Sequence, residues 1–132
     1  MARIISPPML SADFGHLARD TRMIAESAAE WIHIDVMDGV FVPNISFGFP
    51  VLKAIRKESP KFMDVHLMIV EPEKYVKKFA EAGSDLVTFH YEATDDPLAT
   101  IGMIKQAGAK AGISVKPATP VEVLTDLLPE LD

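Results

Sequence analysis

Cysteine is absent from the 132 residues, which removes disulfides, thiolate-held zinc and a sulfur nucleophile from consideration. Any metal has to be held by histidine and carboxylate. Basic charge is also short: 13 Lys and Arg against 19 Asp and Glu give a formal charge of -6 and a pI near 5.1, and the cations are scattered along the chain. With no basic field to displace counterions, nucleic acid is not expected as a partner. No apolar run approaches the ~20 residues that span a bilayer, and residues 1–5 lack the long apolar core of a secretory leader. The expectation is therefore no membrane partner and a cytoplasmic location. Glycine numbers seven, and nowhere do these glycines gather into a phosphate-cradling loop.

What the chain does have is apolar residue in quantity, 48% against 24% charged, enough to fill the core of one domain. Short apolar runs at 4–8, 31–35, 62–68, 86–90 and 110–115 read as strands. Amphipathic stretches separate them. Asp13 is placed to cap a helix through Leu17, Met23 and Ile24, and Pro50 opens a second through Leu52 and Ile55. Pro72 opens a third through Tyr75, Val76 and Phe79; Asp96 and Pro97 begin a fourth carrying Ile101 and Ile104. Pro120 begins a fifth with Val123, Leu124 and Leu127. Alternating strands and helices require crossover connections, and so a parallel sheet covered by helices.

An internal repeat supports this α/β reading. "ESAAEWIHID" (26–35) and "EAGSDLVTFH" (81–90) match in character position by position, and "KQAGAKAGISV" (105–115) repeats the pattern. Gly83 and Gly108 stand where a left-handed residue ends a helix. A closed barrel of eight such βα units needs ~200 residues or more, so this chain is expected to be a single partial barrel domain, 1–132, cut before a sixth strand.

The chemistry-bearing residues lie on the second and third of these strands. Side chains two apart share a face, so His33 and Asp35 point together, with Met37 continuing their row. Asp64, His66 and Met68 form a second row one unit later. If the two strands are parallel neighbours, His33, Asp35 and His66 converge at the end of the sheet where α/β enzymes keep their sites. Two imidazoles and a carboxylate suit zinc, iron or manganese. A lone H-x-D is commonly a hydrogen-bonded core pair; it is the second row that favours a metal. Asp64 is read as orienting a neighbour, and the methionines, taken alone, as packing. His90 reads as packing ahead of substrate contact, Lys116 as part of an exposed turn, and His16 and Trp31 as surface or packing residues. The long connection at 36–48, with Phe41, Val42, Pro43 and Asn44, reads as a lid over the site or as packing across its mouth.

"LSADF" (10–14), "HIDVMDGVFVPNISFG" (33–48), "DVHLMI" (64–69), "FHYEAT" (89–94) and "VKPATPVE" (115–122) together resemble the ribulose-phosphate 3-epimerase family. The resemblance implies a (β/α)8 TIM barrel of the ribulose-phosphate-binding type, this chain covering about its first five βα units. It implies an isomerase of the pentose phosphate pathway that interconverts D-ribulose 5-phosphate and D-xylulose 5-phosphate through a 2,3-enediolate. It further implies a divalent ion (zinc, iron, manganese or cobalt) held by His33, Asp35 and His66. Asp35 is then a catalytic acid/base group, and His66, Met37 and Met68 touch the phosphorylated ketopentose. A parallel sheet cut after five strands has unpaired edges, so a homo-oligomer is expected. A second aspartate from a later strand completes the family's acid/base pair, so the activity of this chain alone is in question. The family's serine after the first proline is Pro8 here. The alternatives are a related ketohexose-phosphate 3-epimerase and an inactive, self-associating barrel fragment. Met37 stands where decarboxylases on this barrel type carry a lysine, which argues against that chemistry.

Overall fold

A computed structural model describes residues 3–132; Met1 and Ala2, part of the stretch read for a leader, lie outside the described residues. Four strands, β1 (Trp31–Met37), β2 (Phe62–Met68), β3 (Leu86–His90) and β4 (Lys110–Ser114), form one sheet in the order β1-β2-β3-β4. Every neighbouring pair is parallel. The crossovers carry α1 (Leu17–Glu26) before β1, then α2 (Phe49–Glu58), α3 (Val76–Glu81) and α4 (Pro97–Gln106).

Burial alternates strictly along β1 and β2. Ile32, Ile34, Val36, Met63, Val65 and Leu67 are buried beneath the helices, where they join Leu52, Ile55, Val76, Phe79, Ile101 and Ile104 in one core. The other face carries His33, Asp35, Asp64 and His66 and is only half-buried. A central parallel strand normally reads as continuously apolar because both faces are covered. Here the polar residues are confined to the concave, barrel-interior side.

The amino-terminal strand expected at 4–8 does not form a ladder. Its extended chain runs beside β1 through a single parallel bridge, Pro8 to His33, with Ile5 O accepting from Glu30 N and Trp31 N and Pro7 O from His33 N. Pro7 and Pro8 have no N–H to donate, which limits regular pairing. The expected five units thus appear as four strands and an accompanying extended segment. The fifth helix is also corrected: Val121–Leu124 and Leu128–Glu130 are short 3-10 turns. Pro129, nine residues after Pro120, cannot continue a helical hydrogen-bond ladder. The third helix is split, with a 3-10 turn at Pro72–Lys74 ahead of α3. Met23 is exposed, because Leu17, Thr21 and Ile24 share the inward face at i, i+4, i+7 and Met23 falls off it. The expected Asp96 cap holds, accepting from Ala99 N, whereas Asp13 caps a 3-10 turn at Phe14–His16 by accepting from Gly15 N, and α1 itself begins after His16 with no side-chain cap. Gly83 and Gly108 have φ of 117° and 90°, the left-handed helix exits expected of them.

An acidic clamp recurs at the strand starts. Asp85 N donates to Met63 O at 3.0 Å while Met63 N donates to Asp85 Oδ2 at 2.7 Å. Glu30 brackets Ile5 in the same way, and Asp132 brackets Ala111. Asp85 and Asp132 thereby take up amides near the starts of β2 and β4, and Glu30 does the same for the extended segment beside β1, where the amides would otherwise be left unpaired.

Candidate metal centre

Parallel pairing sets His33 opposite Asp64, Asp35 opposite His66 and Met37 opposite Met68. The two rows read from the sequence therefore lie side by side in register. His33 Nε2 is 3.0 Å and His66 Nδ1 3.2 Å from the same oxygen, Asp35 Oδ1. One ligand atom from each of the three residues lies within 4.8 Å of the other two, the span over which donors can share a single ion. The residues are half-buried, open enough for a ligand to enter and enclosed enough to weaken solvent screening.

The outward nitrogens are also engaged. His33 Nδ1 lies 2.8 Å from Asp64 Oδ2, the orienting contact expected of Asp64. His66 Nε2 lies 2.8 Å from His90 Nε2. His90 is thus not a simple packing residue: its ring stacks on His66 with centroids 4.9 Å apart. The hydrogen bond to Asp64, opposed by burial and helped by the charge of Asp35, holds His33 above the ordinary imidazole pKa. Burial pushes His66 below it despite Asp35, and burial together with neighbouring His66 does the same to His90. Both rings are therefore favoured in the neutral form that can accept or ligate.

The long loop after β1 is built by its own polar residues. Asp38 Oδ1 accepts from Val40 N and Phe41 N, and Asp38 Oδ2 from Val70 N, joining this loop to the one after β2. Ser46 Oγ donates to Asp35 O and accepts from Met37 N. The Phe41 ring reaches back over His90 at 4.9 Å between centroids, with Lys116 Nζ 4.0 Å from the ring centre on top. The loop tip thus covers the His90 side of the centre. Lys116 is exposed in a loop, as expected, and its amide donates to Glu92 Oε1. Met37 lines a cleft of about 220 Å³ with Asp38, Val70 and Tyr75, but none of the three candidate ligands does. Trp31 stacks on Phe62 at 4.4 Å, and His16 bonds Asp13, so both are structural.

The profile of the Ribulose-phosphate 3 epimerase family matches residues 4–132. The chain belongs to that family. A Ribulose-phosphate 3-epimerase of Candida glabrata is 46% identical over 98% of this chain, and one of Mycobacterium leprae is 47% identical over all of it. The chain spans 59% and 58% of those proteins' lengths. Among solved structures, an orotidine 5'-monophosphate decarboxylase from Methanocaldococcus jannaschii superposes with a TM-score of 0.60 at 15% identity, covering 95% of this chain and 63% of that one. At that identity the likeness shows the fold alone, a partial (β/α) barrel.

Within this epimerase-family chain, sequence reading passed over Glu92, Asp38 and Ser46 and read His90 as packing ahead of substrate contact, although it ends a strand at the same end of the sheet as Met37 and Met68. Pro8, at the family's serine position, has no hydroxyl to offer and instead continues the segment that bridges to His33.

Proposed function

We propose that this chain provides the metal-binding and proton-abstracting part of a ribulose-phosphate 3-epimerase acting on D-ribulose 5-phosphate and D-xylulose 5-phosphate. The observation that carries the reading is the convergence of His33 Nε2 and His66 Nδ1 on Asp35 Oδ1. The donor set fits a divalent ion such as zinc, iron, manganese or cobalt, with His33, Asp35 and His66 holding it. When bound, that ion supplies positive charge beside the ketone oxygen as the C3 proton leaves.

Asp35 is the base in this reading. Its carboxylate takes the proton from C3 on one face of the sugar, and the carbon–hydrogen electron pair moves towards the carbonyl. Epimerisation needs a proton delivered on the opposite face, since return to the same face regenerates the starting sugar. Asp64 pairs with His33 Nδ1 and Glu92 accepts from the Lys116 amide; in this reading the opposite-face proton comes from the second aspartate of a later strand that the family resemblance implies. Met37 and Met68 give the substrate an apolar wall, and the Phe41 loop excludes water from the His90 side. A cytoplasmic location and self-association belong to the same reading; exposed Ile4, Ile5, Val121 and Leu128 supply apolar surface for the latter.

A chimera tests the activity: this chain joined to the remaining length of the Mycobacterium leprae relative, loaded with cobalt or zinc. It is expected to convert ribulose 5-phosphate to xylulose 5-phosphate, with no turnover after Asp35→Asn and poor turnover of ketohexose phosphates. A folded, metal-loaded chimera without turnover would overturn the reading.

A further inference from the structure

We infer that His90, backed by Glu92, is a positioning residue that fixes the tautomer of His66 and so presents His66 Nδ1 to the metal. The inference rests on the metal-centre reading and adds two residues to it. If His33 and His66 both ligate beside Asp35, the nitrogens offered are His33 Nε2 and His66 Nδ1, the two that face Asp35 Oδ1. An imidazole that ligates through one nitrogen carries its proton on the other, and that N–H needs an acceptor. For His33 the acceptor is Asp64 Oδ2 at 2.8 Å.

For His66 the nitrogen left over is Nε2, and its neighbour is His90 Nε2 at 2.8 Å. Two imidazole nitrogens at that separation hold one hydrogen between them. With the hydrogen on His66, His90 Nε2 must be the acceptor, and the His90 proton must sit on Nδ1. His90 Nδ1 is buried and has no hydrogen-bond partner. The nearest carboxylate oxygen is Glu92 Oε2, 3.6 Å away, just outside bonding distance. Glu92 is itself held by the Lys116 amide at 2.5 Å through its other oxygen. The geometry is a directed chain, His66 to His90 to Glu92, that needs only a small closure at its last step. Phe41 packed on the His90 ring limits how far the ring can turn.

The test uses the 132-residue chain with zinc. Calorimetric titration of the wild type, His90→Leu and His90→Gln compares a lost acceptor with a retained one. His90→Leu is expected to weaken zinc binding by about 10- to 100-fold, while His90→Gln, whose side-chain oxygen can still accept, recovers most of the affinity. Equal affinities for all three would overturn the inference, whereas a wild-type chain that binds no zinc would overturn the metal reading beneath it. Should His90→Leu fail to fold, nitrogen-15 imidazole spectra of the zinc-loaded wild type decide the matter. Protons on His66 Nε2 and His90 Nδ1 are expected, and a proton on His90 Nε2 would refute the chain.

Discussion

His33 and Asp64 occupy paired positions on adjacent parallel strands, and their side chains meet at 2.8 Å on the face that also carries Asp35 and His66. Strand register alone therefore delivers both a ligand and the group that orients it. Asp64→Leu removes the acceptor and leaves His33 Nδ1–H without a partner. Zinc affinity is expected to fall about 10- to 100-fold, measured by titration calorimetry, and Asp64→Asn should lose less because its amide oxygen can still accept.

Metal binding should depend on pH through His33. Its pKa is raised by the Asp64 hydrogen bond, so a proton competes with the metal starting above the ordinary imidazole range, and affinity falls as pH drops through that raised value. In the metal-free protein, the sign for stability is opposite. Protonated His33 stabilises the fold fully below the unfolded-state pKa, and that contribution is lost as pH rises through the folded-state value. His33→Gln removes the titrating ring and should flatten the stability profile in urea melts of the metal-free protein across pH 5 to 9; an unchanged profile would exclude His33 as its source.

Phe41 holds the loop after β1 against His90 and beneath Lys116. A tilted aromatic pair and an exposed cation–π contact are together worth about 1 to 2 kcal/mol. Phe41→Ala should therefore speed hydrogen exchange at the Val40 and residue-41 amides by roughly tenfold, with little change in the global melt. If exchange there is unaltered, the ring does not hold the loop.

Arg56 is expected to be among the most sensitive positions outside the centre. Its guanidinium donates to Gly83 O, Asp85 Oδ2 and Ser59 O, and also to Lys61 O, tying the end of α2 to the starts of β2 and β3. Arg56→Met leaves several of these acceptors unsatisfied and should cost about 2 to 4 kcal/mol in urea unfolding. A loss below about 0.5 kcal/mol would show that solvent replaces the guanidinium without penalty.

The alternation of apolar runs and amphipathic stretches, the proline and aspartate helix starts and the glycine exits determined the parallel α/β order, because these are local properties with fixed periods. The side-by-side placement of His33, Asp35 and His66 was equally legible: a two-residue period on each strand needs only parallel adjacency to become a cluster. The failures came where local signals depended on partners. Residues 4–8 carry strand composition but end in Pro7 and Pro8, which have no N–H for a ladder, and residues 121–130 carry a helical stripe too short between prolines to propagate. Only the tertiary structure decided that His90 meets His66, that Glu92 lies behind it and that Phe41 packs on His90. Those contacts join a strand end to two loops, and loop paths follow from long-range packing and isolated hydrogen bonds, which leave no period in the sequence.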